Sequence, residues 1–201
     1  MYRVHGDKVI RRRTNYCKEN DIQKYTKILK EDFGNMCGYC GKDLNIIKCP
    51  YQKDHLIPKD IAKKVGRLDL LIDYNNLVYS CRVCNRNKSN YWPFDNVDKI
   101  HDDKVGFVDP ATQEFDEHMQ RDENGRIMPK TEVGKYMYEI FNFSNRLTDV
   151  WWKLSVISKE ISEIDSILEK QETVDGLRQY WVLHRQFDSF IESLKKENES
   201  I

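Results

Sequence analysis

Apolar residues recur along this chain in several rhythms. Tyr16, Ile22, Tyr25, Ile28, Leu29 and Phe33 fall at helical spacing and predict one amphipathic helix over residues 16–33. Residues 44–57 read as the first strands, ending near Lys53-Asp54-His55-Leu56-Ile57, where Pro58 stops them. Residues 59–72 read as a short helix or loop carrying Lys59, Lys63, Lys64 and Arg67. Leu77-Val78-Tyr79 is the second strand, and residues 82–91 form a helix ended by Trp92-Pro93. In residues 101–130, Gly106-Phe107-Val108 predicts a short strand before Asp109-Pro110. Residues 115–119 and 126–128 flank Asp122-Glu123-Asn124-Gly125, a hairpin signal.

From Thr131, a good N-cap, the chain reads as helical. Leu147, Leu154, Ile161 and Leu168 recur every seven residues, with Val150, Ile157 and Ile164 between them. That is a heptad seam. Val174-Asp175-Gly176 predicts a break, and Leu177, Trp181, His184, Phe187, Ile191 and Leu194 form a second stripe. Two such helices fold back as an antiparallel hairpin, with His184 a packing histidine.

The chain of 201 residues suits one domain, or a small domain with an extension. A third of it is charged, and no apolar run approaches the roughly 18 residues that cross a bilayer. The N-terminus is basic without a following apolar core, so a signal peptide is not expected and a cytoplasmic protein is. Net charge is zero, but its distribution is uneven. Nine Lys/Arg face three acids in residues 1–30, eleven face nine in 31–100, and thirteen face twenty-one in 101–201. The front half suits phosphate and the back half does not. Arg3, Lys8, Arg11, Arg12 and Arg13 read either as an arm on phosphate or as a solvated terminus.

Candidate chemistry lies in the middle. Cys37-Gly38-Tyr39-Cys40-Gly41 and Cys81-Arg82-Val83-Cys84-Asn85-Arg86-Asn87-Lys88 are two Cys-x-x-Cys knuckles. Four thiols so paired suit one closed, tetrahedral zinc site in a reducing compartment. Gly38 and Gly41 let the backbone bend tightly there. Cys17 and Cys49 are left over as ordinary thiols. The segment between the knuckles exceeds the roughly 15–20 residues of a simple zinc ribbon, and it houses Asp54-His55 and Asn75-Asn76-Leu77. His101, Asp102, Asp103 and His118 match no ligand spacing.

The order Cys-x-x-Cys, Asp-His, Asn-Leu, Cys-x-x-Cys-Asn-x-x-Lys resembles the HNH endonuclease family in its zinc-supported form. The resemblance implies an α+β protein. It would have a ββα-metal core with a four-cysteine zinc site, an N-terminal helix and a C-terminal α-helical hairpin extension. The implied division is a basic arm and helix over residues 1–34, the nuclease core over 35–100, an irregular β-hairpin segment over 101–130, and a helical extension over 131–201. His55, Asn76 and Asn85 occupy the three signature positions, Asn85 standing where many members carry a second histidine.

What the resemblance implies is phosphodiester hydrolysis of DNA. His55 suits general-base work because its pKa lies near operating pH. Asp54 and Asn85 would hold one Mg²⁺, with Mn²⁺ as a substitute, since hard oxygen donors suit that ion. Asn76 would steady the loop that carries His55. Lys88 and Arg86 lie where they could reach phosphate. Consecutive residues on a regular strand point to opposite faces, so Asp54 and His55 share a phosphate only at a bend or strand edge. A narrower likeness rests on residues 25–33, Asp109-Pro110, Gly125-Arg126-Ile127 and Phe141-Asn142 with Arg146. These resemble nuclease subunits of Septu-type anti-phage defence systems, which implies an ATPase partner. The exposed apolar content of residues 131–201 points the same way, to self-association or a larger protein partner. The four cysteines alone equally suit a non-catalytic zinc module for nucleic-acid or protein binding, or an adaptor built around its helical hairpin.

Overall fold

The computed structural model describes residues 1–46 and 50–198, with the side chains of 196–198 left aside. The expectation for Cys49 falls outside the described residues. Among the described residues the regular elements are helices and two small sheets, and the chain divides into two compact units, Met1–Arg146 and Leu147–Ile201. No described helix is long and apolar enough to cross a membrane.

The first unit has one principal core. It gathers Val4, Leu29, Phe33, Cys37, Tyr39, Leu77, Val78, Phe107, Met119, Val133, Met137 and Phe141. The knuckle region therefore shares its core with the segments on both sides, as a module of its size requires. The helix expected over 16–33 is shorter. A 3₁₀ turn, Ile22–Tyr25, runs into α1, Thr26–Asp32. Asp21 sets the start, its carboxylate accepting from the Gln23 amide. Tyr16 lies outside the helix, its ring 4.7 Å from Tyr74. Its apolar character serves tertiary packing, which a periodicity count cannot distinguish from a helix face.

The basic N-terminus is neither a free arm nor a solvated tail. Val4, His5 and Ile10 are buried. Arg12 donates to the Leu77 carbonyl (2.7 Å) and the Asp109 carboxylate (2.5 Å), and Arg13 pairs with Asp32 (2.7 Å). Arg3 meets Asp116 at 2.6 Å. These cations balance internal carboxylates.

β1 (Tyr51–His55) and β2 (Leu77–Cys81) pair antiparallel, Asp54 opposite Val78 and His55 opposite Leu77. α2 (Lys59–Lys64) follows Pro58, and α3 (Arg82–Lys88) leaves β2 directly. α3 ends at Ser89 with φ 45°, earlier than the expected Tyr91. Residues 106–108 form no strand, and only a single bridge joins His101 to Gly106. Residues 115–118 are a short helix, α4 (Phe115–His118), and the hairpin strands are β3 (Met119–Arg121) and β4 (Ile127–Pro129). Arg121 is fully buried at the junction. It donates to the carbonyls of Val4, Gly125 and Cys40. α5 (Glu132–Ile140), capped by Thr131, and a 3₁₀ turn, Phe143–Asn145, end this unit.

The second unit is a helical hairpin of α6 (Thr148–Leu168) and α7 (Val174–Asn198). Lys153, early in α6, lies over the Phe190 ring late in α7, so the helices run antiparallel. The break falls at residues 169–173, and Val174-Asp175-Gly176 forms the first turn of α7. Leu168 packs where a Gly176 side chain would stand, so the glycine belongs to the close helix contact. His184 packs against Tyr180 at 4.4 Å, and its buried Nε2 has no hydrogen-bond partner.

Candidate active site

Cys37 and Cys40 lie on the turn after α1, and Cys81 and Cys84 at the junction of β2 with α3. The sequence folds tightly at the first knuckle. Gly38 sits where a Cβ would come within 2.7 Å of Phe33 and 2.9 Å of Val78, so crowding demands glycine. Gly41 has φ 65°, the left-handed region glycine enters freely. All four cysteines are buried, and their sulfurs lie within 4.8 Å of one another. Cys40 Sγ and Cys81 Sγ are 3.9 Å apart, against about 3.8 Å across a tetrahedral Zn–S₄ site. The residues fit a closed zinc centre. Among the described residues no other group of three or more Cys, His, Asp or Glu converges so closely.

The two faces of β1 separate the remaining candidates. Gln52 and Asp54 share one face, two residues apart. Asn85 and Lys88 share one face of α3, three apart. The two faces meet. Asn85 Nδ2 donates to Gln52 Oε1, and Lys88 Nζ lies 3.4 Å from Asp54 Oδ2. Tyr39 donates its hydroxyl to the same carboxylate oxygen at 2.5 Å. Burial pushes the Asp54 carboxyl up from the usual range, while the Lys88 ammonium and the Tyr39 hydroxyl pull it back. Burial likewise pushes the Lys88 ammonium down, and Asp54 opposes that. Lys88, expected to reach phosphate, is fully buried and donates to the His55 carbonyl at 2.8 Å. Arg86, on the opposite side of α3, is exposed.

His55 ends β1 on the other face. Its Nε2 bonds the Leu71 carbonyl at 3.0 Å. A carbonyl only accepts, so Nε2 is the donor and Nδ1 is left as the basic nitrogen. Burial lowers the His55 pKa from 6.5, partly opposed by the Leu71 bond, with Lys59 and Lys88 adding to the lowering. Asn76 braces this loop. Its Oδ1 accepts from the Ile57 amide (2.8 Å), and its Nδ2 donates to the carbonyls of Ile57 (3.1 Å) and Leu70 (2.9 Å).

Two participants were not singled out from sequence, and a third, Arg146, was named only for the Septu-type likeness and not for a role at the cysteines. Tyr39 and Gln52 had only their positions as clues, inside the first knuckle and one strand repeat before Asp54. Arg146 lies 62 residues after Cys84 yet donates to its sulfur at 3.2 Å. Of the unassigned histidines, His101 lies 3.0 Å and His118 3.8 Å from Glu114.

No solved structure matches the chain significantly. Septu protein PtuB of Bacillus mycoides (strain KBAB4) is 28% identical over 190 residues, covering 86% of this chain. The chain spans 61% of that relative's length. Residues 37–91, which hold the cysteine quartet with Asp54, His55, Asn76 and Asn85, match the model of the HNH endonuclease family.

Proposed function

We propose that this chain is a metal-dependent endonuclease that hydrolyses phosphodiester bonds of DNA, with His55 as general base. The observation that carries the reading is the His55 ring. Its Nε2 is anchored on the Leu71 carbonyl, which orients the ring and leaves Nδ1 to take a proton from water. Burial keeps the ring neutral at physiological pH. Asn76 holds both ends of the loop that supplies this carbonyl.

Zinc would be held by Cys37, Cys40, Cys81 and Cys84 as a structural centre. Mg²⁺, or Mn²⁺ in its place, would be held by Asp54 and Asn85. Donation by Asn85 Nδ2 to Gln52 turns that amide so that Oδ1 remains an acceptor. Such an ion supplies Lewis-acid stabilisation of charge on the phosphate and the leaving oxygen. Arg86 and Lys59, both exposed, supply positive charge for phosphate.

The likeness to a Septu protein supports a role in anti-phage defence, and the ATPase partner is what the resemblance to Septu-type nuclease subunits implies. Residues 131–201 would bind that partner. Trp181, Val182 and Ile167 expose more than half of their surface there.

The test is plasmid cleavage in Mg²⁺. His55→Ala should lower the rate by about 10²–10⁴-fold with folding and zinc content unchanged. Comparable cleavage by the variant would remove His55 as the base. The tie of Asp54 to Lys88 and Tyr39 favours a second reading, a non-catalytic zinc module. Wild-type protein inert in both Mg²⁺ and Mn²⁺, with or without its partner, would establish that one.

A further inference from the structure

Arg146 is the last residue of the first compact unit, and its side chain turns onto the cysteine quartet. Nη1 donates to Cys84 Sγ at 3.2 Å and to the Phe141 carbonyl at 3.3 Å. Nη2 approaches Cys81 Sγ at 3.9 Å, and the guanidinium lies 5.1 Å from the Phe143 ring centroid. The Phe141 carbonyl also accepts from Asn87 Nδ2 on α3, at 2.9 Å. One planar fork therefore joins both sulfurs of the second knuckle to the segment that braces α3.

The electrostatics say why a cation belongs there. Four thiolates around one Zn²⁺ leave a net charge of −2, and the quartet is buried, with no residue more than 3% exposed. Uncompensated charge is costly in such a site. A backbone amide, that of Cys84, reaches Cys81 Sγ at 3.5 Å, but it is neutral. A guanidinium adds full charge, and its fixed geometry lets it address two sulfurs and a carbonyl together, which a lysine point charge does not. Cys84 immediately precedes Asn85, so whatever fixes the Cys84 sulfur also fixes the start of the helix face bearing Asn85.

We infer that Arg146 is the outer-sphere cation of the four-cysteine centre, a positioning residue that retains the metal and steadies α3. The inference rests on reading the quartet as a zinc site. Outer-shell partners of metal ligands typically carry 10–100-fold in metal affinity.

The experiment uses the full chain with Arg146→Gln and Arg146→Lys. Zinc per chain is measured first by elemental analysis, and wild-type protein without zinc would reject the zinc reading and the inference with it. With one zinc present, release to the chromogenic chelator 4-(2-pyridylazo)resorcinol is timed. Arg146→Gln should release zinc about tenfold faster or more, and Arg146→Lys at an intermediate rate. In Co²⁺-substituted protein the sulfur-to-cobalt charge-transfer band should shift in Arg146→Gln, a change that loosened packing alone would not produce. If Arg146→Gln does not fold, Arg146→Lys carries both measurements. One zinc in the wild type, with release rates and cobalt spectra unchanged in the folded variants, would overturn the role of Arg146.

Discussion

The Lys88 ammonium donates to the His55 backbone carbonyl at 2.8 Å and stands 3.4 Å from the Asp54 carboxylate. One buried cation thus holds two consecutive residues whose side chains point to opposite faces of β1. Without it the Asp54 carboxylate would keep only the neutral Tyr39 hydroxyl, with no counter-charge, and the His55 carbonyl would lose this donor. Lys88→Met should destabilise the protein by about 3–5 kcal/mol in urea unfolding, because it strands a buried charge. If Lys88 served phosphate instead, stability would hold and only DNA affinity would fall.

Where His55 is the general base proposed above, its lowered pKa sets the acid limit of cleavage. With the free-ring value at 6.5 and burial depressing it, the ring takes up its proton only below pH 6.5. The acid limb of kcat/KM should therefore inflect below 6.5. An inflection above 6.5 would place the base elsewhere or show a ring stabilised as imidazolium.

His5 governs acid stability. It is buried, bonds the Gly38 carbonyl inside the first knuckle at 2.6 Å, and has its pKa lowered from 6.5 to about 4, chiefly by burial. Between pH 6.5 and 4 the unfolded chain binds a proton that the folded one does not, so stability falls as pH drops through that window. The loss should reach about 3 kcal/mol at pH 4 and level off below it. His5→Asn should flatten this part of the curve, measured by urea unfolding at fixed pH. Equal slopes in both proteins would show another group responsible.

Arg121, whose guanidinium reaches the Cys40 carbonyl of the first knuckle, should be a second sensitive buried cation. Arg121→Met leaves the carbonyls of Val4, Gly125 and Cys40 without its guanidinium. At about 1–3 kcal/mol for each stranded acceptor, a loss of several kcal/mol is expected. Residues 1–14 should then be cut first in limited proteolysis. Cleavage first at the 169–173 break would show that the N-terminus is held by other contacts.

The local sequence determined the parts of this protein whose chemistry is local. Two Cys-x-x-Cys pairs announce the cysteine quartet because each pair spans one tight turn. Pro58 and the paired apolar runs place β1 and β2, and the seven-residue apolar repeat places the helical hairpin. Only the tertiary structure decided which way charged side chains face. A basic run such as Arg11-Arg12-Arg13 looks alike whether it meets phosphate or internal carboxylates, and here Asp109 and Asp32, 97 and 19 residues away, claim two of the three. Lys88 reads as a surface lysine until β1 is laid against α3. Arg146 shows nothing of its place at the cysteines, because its partners are sulfurs more than sixty residues earlier. Long side chains are placed by packing between distant segments, and the spacing of neighbours along the chain carries no record of it.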